Sequence, residues 1–232
     1  MVKKTAEQIT SRREEIVNAC EKLYETFGFK EITLKEIGKE VPFSRPTIYN
    51  YFQTKEEIFL ALFEREYERW NKELAIILES GEKIGKQELA DKIALSLADR
   101  VQLLKLLSMN NYDMEANSRT ELLKDFKKAY GRSMQLFRMI LTKYCPEKSA
   151  PDIQNITYIF FPFLFGIYPY AEVTEKQSAA MRSAGIDFVY QTIYEITFNF
   201  LSGCFENNEP ANTDSHLRLV RRQSSDKGES IK

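Results

Sequence analysis

A single histidine, His216, serves 232 residues, and it lies in a polar stretch near the C-terminus. No Ser/His/Asp or Cys/His arrangement, glycine-rich phosphate loop or metal-ligand spacing accompanies it, and no carboxylate pair stands within an apolar stretch. The sequence therefore offers no catalytic residues, no metal site and no implied cofactor. The three cysteines, Cys20, Cys145 and Cys204, are far apart and form no CxxC pair. That excludes a disulfide framework or zinc ribbon and suits reduced thiols, so a cytoplasmic location is expected. Nine glycines and seven prolines are too few for a turn-rich β architecture. The opening MVKKTAEQITSRREE has no apolar h-region, so no secretory signal is expected. A formal charge of −1 identifies no partner. The most apolar run, 156–170, falls short of the roughly 20 residues a bilayer needs and contains Pro162 and Gly166. It reads as a core or interface helix, not a membrane span.

What the chain does have is helical punctuation, which predicts an all-α fold. Ser11-x-x-Glu14 resembles a capping box, in which the hydroxyl and the carboxylate satisfy each other's backbone N–H groups. Ile16, Ala19, Cys20, Leu23, Tyr24 and Phe27 follow at the spacing of one buried helix face, with Gly28 placed to close it in a left-handed conformation. Thr33-x-x-Glu36 opens a second, short helix with Leu34, Ile37 and Val41 inward. Thr54-x-x-Glu57 opens a long one with Phe59, Phe63, Tyr67, Trp70, Leu74 and Ile77 along its stripe.

Later segments keep the period. Leu89, Ile93, Leu97, Val101 and Leu104 predict one helix; Leu122, Phe126, Tyr130, Phe137, Leu141 and Tyr144 predict another, ended by Cys145-Pro146. Ser149-Ala150-Pro151 starts an aromatic helix, a short helix near 175–183 closes at Gly185, and a last helix ends at Gly203. Residues 206–232 carry five basic and five acidic residues with little that is apolar, and read as a disordered tail.

Between the second and the long helix lies SRPTIYNYF, residues 44–52. Ser44 suits an N-cap and Pro46 a first helical turn, where a missing N–H is harmless. A tight turn at Val41-Pro42-Phe43 would join two short helices into a helix-turn-helix. Ile48 and Phe52 would pack inward with Tyr51 beside them, leaving Arg45, Thr47, Tyr49 and Asn50 outside. Those residue types suit a DNA groove: arginine pairs with guanine, asparagine with adenine, a threonine methyl with thymine, and hydroxyls donate to phosphates. Thr33 and Lys55, at the starts of the flanking helices, add N–H groups and a charge where phosphates would run. Taken singly, each of these is an ordinary surface residue; the constellation favours DNA.

Residues 9–60 resemble the N-terminal domain of tetracycline-repressor-like (TetR-type) transcriptional regulators, through IVNACEKLYETFGFKEITLKEIGKEV and FSRPTIYNYFQTKEEIF. The resemblance implies that Thr33, Tyr49 and Lys55 meet phosphates. It places Arg45, Pro46, Thr47, Asn50 and Tyr51 at the base groove, with Ser44 at the start of the recognition helix. Pro42 departs from the family, which commonly has glycine in that turn; proline forbids the left-handed conformation. Residues 1–57 hold ten Lys/Arg against ten Glu, so binding would rest on local placement of Lys3, Lys4, Arg12, Arg13, Arg45 and Lys55.

The resemblance further implies a DNA-binding unit over 1–53 and a helical ligand-binding and dimerisation domain over 54–205, ahead of the tail 206–232 read from composition. Seven aromatics within 158–170 make a helix apolar nearly all round, which must be buried on all sides. Helices near 152–171 and 186–202 are expected to form a homodimer, placing two recognition helices one turn apart on a pseudo-palindromic operator of double-stranded DNA. Trp70, Met109, Tyr112, Met114, Phe126, Tyr130 and Phe137 are candidates to line a cavity for a hydrophobic small-molecule effector. The expected function is a dimeric repressor released by that ligand. The rival reading is a helical protein-interaction or assembly module with no sequence-specific DNA binding; a DNA-binding regulator without an inducer is a third.

Overall fold

A computed structural model describes residues 6–81, 83–109 and 111–206, and eleven helices with no strand make up these residues. Helix α1 (Ala6–Thr26) starts before the expected capping box, so Ser11 lies within it and its hydroxyl donates to Glu15. Residues 6–10 continue the helix upstream because nothing in AEQIT breaks it. Ile16, Ala19, Cys20 and Tyr24 are buried as the spacing predicts, but Phe27 is 44% exposed. Gly28 is not left-handed; among the described residues only Gly185 has positive φ, at 68°, where α10 closes. Gly28 instead donates its N–H to the Glu31 carboxylate at 2.8 Å.

Helices α2 (Leu34–Ile37) and α3 (Arg45–Tyr49) pack under α1. Backbone bonds Gly38 N to Leu34 O, Lys39 N to Glu36 O and Glu40 N to Ile37 O prolong the α2 coil. The turn proper is thereby reduced to residues 41–44, and Pro42 is accommodated with no left-handed residue.

Helix α4 (Lys55–Glu79) runs through the molecule. Ile58 to Phe63 are buried on every side, because one flank of this stretch faces α1 and the other the C-terminal helices. Along the rest of α4, Tyr67, Trp70, Leu74 and Ile77 form the expected stripe, packed chiefly on α8 (Thr120–Tyr144). Asn71 locks that pair: its amide donates to Ala129 O at 3.1 Å and accepts from the Ser133 hydroxyl at 2.7 Å.

The single helix expected over 89–104 is two, α5 (Lys86–Ala98) and α6 (Val101–Leu107), separated at Asp99-Arg100. Breaking there lets α6 turn onto α9 and bury Leu103, Leu104, Leu106 and Leu107, more than a straight continuation of one stripe could cover. Val101 is left exposed. Helix α7 (Asn111–Ala116) follows, then α8, which ends at Cys145 as predicted.

Helix α9 (Ala150–Ala171) opens on a capping box between Ser149 and Asp152. Contrary to the expectation of burial all round, only one face is covered: Ile153, Thr157, Phe160, Phe161, Leu164 and Ile167 are buried, while Tyr158, Ile159, Phe165 and Tyr170 are exposed. Pro162 and Pro169 sit on that open side, so the i−4 carbonyls they leave unpaired disturb no internal packing. Helix α10 (Glu175–Ser183) leads to an extended stretch, and α11 (Ile193–Glu206) begins seven residues later than expected. It runs through Gly203, which carries no left-handed turn. Phe163 of α9 stacks on Phe200 of α11 at 4.0 Å between centroids. No single helix among the described residues is long and apolar enough to cross a membrane. The segment 207–232, with His216 and nearly all of the expected tail, lies outside the described residues, as do Lys3 and Lys4.

Candidate nucleic-acid interface and effector cavity

The N-terminal unit exposes one contiguous edge. Thr33 caps α2, its hydroxyl accepting from Lys35 N at 3.2 Å and Glu36 N at 3.4 Å. On α3, Ile48 and Phe52 are buried and Tyr51 is half-buried, which turns Arg45, Pro46 and Asn50 outward and leaves Tyr49 55% exposed. Thr47 is half-buried and shares a 3.2 Å hydroxyl contact with Ser44, so Ser44 occupies the N-cap position without capping a backbone N–H. The helix is held in this roll by a residue the periodicity did not single out. A Cβ on Gly38 would stand 3.2 Å from Leu34 O and 3.3 Å from Arg45 Cγ, so glycine lets α3 approach α2.

Three cations tie the unit together from behind. Arg12 lies over Phe43 and Arg13 over Phe52, at 5.8 and 5.5 Å from the ring centroids. Lys55 donates to Phe29 O at 2.8 Å and Ile32 O at 3.2 Å, with its ammonium 4.1 Å from the Phe29 ring centre. Its charge thus anchors the loop that presents Thr33.

Below α3 a buried carboxylate joins this unit to the rest. Glu57 accepts from Arg119 Nε at 2.7 Å, from Arg119 Nη2 at 2.9 Å, from Gln53 N at 2.7 Å and from Arg119 N at 3.1 Å. Arg119 also donates to Tyr51 O at 2.9 Å, and the Thr54 hydroxyl to Asn117 O at 3.0 Å. Burial alone would raise the Glu57 carboxyl; the Arg119 side chain and the two backbone N–H groups outweigh it, and its pKa lies below the usual glutamate value. The sequence showed Glu57 only as part of a helix-start signal, and nothing in spacing could pair it with a residue 62 positions away.

The turn bearing Arg119 continues into the wall of a cavity of about 450 Å³ between α4, α7 and α8. Of the seven residues named as candidates for a ligand site, Met109, Tyr112, Phe126 and Tyr130 line it. Tyr112, 83% exposed, stands at its rim. Met114, named with them, is buried on α7 but is not a lining residue. Trp70 and Phe137 are not lining residues either: Trp70 is buried with its indole N–H on Ser96 Oγ at 3.0 Å, and Phe137 is stacked on Phe160 at 4.4 Å. Phe63, Tyr67, Leu107, Glu115, Lys127 and Phe165 complete the wall. Phe63 and Tyr67 belong to the stripe read as core, and spacing could not tell core from cavity lining. An apolar cleft of about 500 Å³ lies elsewhere, between the end of α9 and residues 187–191.

A family model for bacterial regulatory proteins of the tetR family matches residues 16–62, and one for the tetracyclin repressor-like C-terminal domain matches residues 64–190. The chain is also similar in fold to the transcriptional regulator FadR from Bacillus subtilis, solved in complex with stearoyl-CoA. That match has 17% identity and a TM-score of 0.55, covering 84% of this chain and 99% of that one. Thermus thermophilus FadR, a repressor in complex with lauroyl-CoA, matches at 19% identity and TM-score 0.55 over 86% of this chain and 97% of that one. FadR from Bacillus halodurans, a fatty acid degradation regulator, matches at 14% and 0.56 over 90% and 100%. Among curated proteins, no sequence matches.

Proposed function

The chain belongs to the TetR family of transcriptional regulators, proteins that bind DNA and are not enzymes, and we propose that it is a homodimeric repressor released from its operator by a largely apolar ligand. The observation that carries the ligand reading is continuity: the 450 Å³ cavity, the Asn117–Arg119 turn and the end of the helix-turn-helix are joined by the Glu57–Arg119 contact. A ligand that pushes α7 or α8 outward moves Arg119, which holds the Tyr51 carbonyl directly behind α3. Helix α6 supplies a parallel link, with Gln102 and Lys105 donating to carbonyls of Glu21 and Tyr24 near the end of α1. By linkage, operator DNA weakens ligand binding by the same factor. Two of the similar FadR structures were solved with acyl-CoA esters, and their acyl chains support a ligand with a long apolar part.

The dimer reading rests on α9 and α11. Joined by Phe163 and Phe200, they leave Tyr158, Ile159, Phe165 and Tyr170 open, and two copies of such a pair form a four-helix bundle. The 500 Å³ cleft opens beside Tyr170 at this same pair of helices and has no link to the N-terminal unit, which is why the smaller cavity is preferred for the effector.

The roles follow the family resemblance and the exposure of Arg45, Pro46, Tyr49 and Asn50. Arg45, Pro46, Thr47, Asn50 and the half-buried Tyr51 face base edges, and Thr33, Ser44 and Tyr49 contact phosphates, while Lys55 acts through the loop it anchors. The test is selection from a random duplex pool followed by titration of variants. Tyr49→Phe should weaken cognate and scrambled duplexes alike, whereas Asn50→Ala should lose about 1–3 kcal/mol only at its own base position. Equal losses for both variants would refute the assignment. Absence of any enriched, salt-sensitive site would instead favour the protein-interaction reading.

A further inference from the structure

Tyr67 is 1% exposed, yet its hydroxyl makes no hydrogen bond among the described residues, and the residue lines the cavity beside α8. A buried phenol normally finds a partner, as two buried polar side chains further along the same helix do: Trp70 on Ser96, Asn71 on Ala129 and Ser133. We propose that Tyr67 is the polar recognition point of the effector site, donating to a neutral carbonyl oxygen carried by an otherwise apolar ligand. This rests on the reading of the cavity as the effector site and names the ligand's chemical class.

The ring of Tyr67 is fixed by neighbours on three sides, stacked on Phe63 at 5.2 Å and edge-on to Tyr130 at 5.6 Å, with Phe126 at 6.0 Å. The hydroxyl is therefore aimed by packing and not by a polar partner. Burial, and secondarily Tyr130, pushes its pKa well up, so it remains protonated and can donate. An acceptor on the ligand gains a bond that the protein leaves unmade, whereas a hydrocarbon leaves the hydroxyl unsatisfied. The acceptor is neutral because the described lining residues have no unpaired cation to offer. Lys127 is engaged by Glu115 at 2.5 Å, and the two charges cancel. An ionised carboxylate drawn down to Tyr67 would be desolvated without compensation.

Butyrophenone and butylbenzene differ by one C=O in place of CH₂, and their affinities for the full-length wild-type protein and Tyr67→Phe can be compared by calorimetry. The only tryptophan, Trp70, lies 6.5 Å from the Tyr67 ring and reports occupancy by its emission. The ratio of ketone to hydrocarbon affinity should fall by about fivefold to tenfold in the variant, with the hydrocarbon affinity unchanged as the check on folding. An unchanged ratio, or binding of neither probe, overturns the proposal. A changed ratio with no effect of butyrophenone on operator binding upholds the carbonyl site and removes the regulatory role of the cavity.

Discussion

At the scale of single residues, Gly38 and Glu57 decide how the recognition helix is held. Adding a methyl at Gly38 forces Leu34 O or the Arg45 side chain to give way by a few tenths of an ångström. Gly38→Ala should therefore lower stability by about 1 kcal/mol and weaken binding to every DNA sequence, since the roll of α3 changes as a whole. Gly131→Ala is the control: no neighbour stands within 4 Å of its added Cβ, so the same substitution at this exposed position of α8 should raise stability by roughly 0.5–1 kcal/mol. Thermal melts and DNA titrations of both variants check this pair. Glu57 adds a pH signature. Its carboxyl is lower in the folded state than in the unfolded chain, so as acid is added the unfolded chain takes up the proton first. Its contribution is complete above the ordinary glutamate value, about 4.3, and is lost as pH falls through the lower folded value. Glu57→Gln should be less stable near neutrality by about 1–3 kcal/mol and show a shallower decline between about pH 5 and pH 3. Denaturant midpoints across that range measure it, and parallel pH curves for the two proteins would contradict the assignment.

Elements are where the sequence was most and least legible. Helices that bury one stripe, α1, α8 and the part of α4 from Tyr67 onward, were readable because a 3.6-residue period leaves its mark on apolar spacing. Where a helix is apolar on more than one side, period loses its meaning: the leucines 103, 104, 106 and 107 gave no sign that the chain breaks at Asp99-Arg100 to bury all four. The outward face of α3 was legible because its residues are contiguous and their exposure follows from Ile48 and Phe52 turning in. The cavity was half legible, since an aromatic on an inward stripe looks the same whether it meets a neighbour or a void. The clasp between Glu57 and Arg119 was invisible, being long-range and polar. Its function is best tested by Arg119→Lys, which keeps a charge beside the buried carboxylate but cannot hold both its oxygens and the Tyr51 carbonyl at once. Effector affinity of the free protein should be unchanged, while the factor by which effector weakens operator binding, typically ~5–150-fold in such systems, should shrink toward one. Titrating DNA with and without effector yields that factor directly, and a factor equal to that of the wild type would show that the signal passes through α6 and α1 instead.

For the whole molecule, the open side of α9 is the feature that a lone protomer does not explain. Tyr158, Ile159, Phe165 and Tyr170 lie exposed along one helix, next to Pro162 and Pro169, and the apolar segment 186–190 adds Ile186, Val189 and Tyr190. Exposed apolar area of this extent marks a surface that another protein covers. A second copy is the occupant that symmetry favours, because a two-fold axis beside α9 and α11 would make the patch its own complement and would set two α3 helices against a pseudo-palindrome. Ile159, 57% exposed, makes no contribution to the buried core, so Ile159→Glu should leave the protomer folded. It should place like charges against each other across the axis and shift sedimentation from dimer to monomer. Operator affinity should then fall by about tenfold or more, because the two half-sites are no longer engaged by one tethered pair, while affinity for an isolated half-site stays the same. A variant that remains dimeric, or that loses half-site binding as well, would place the dimer axis elsewhere and leave the apolar side of α9 to a different partner.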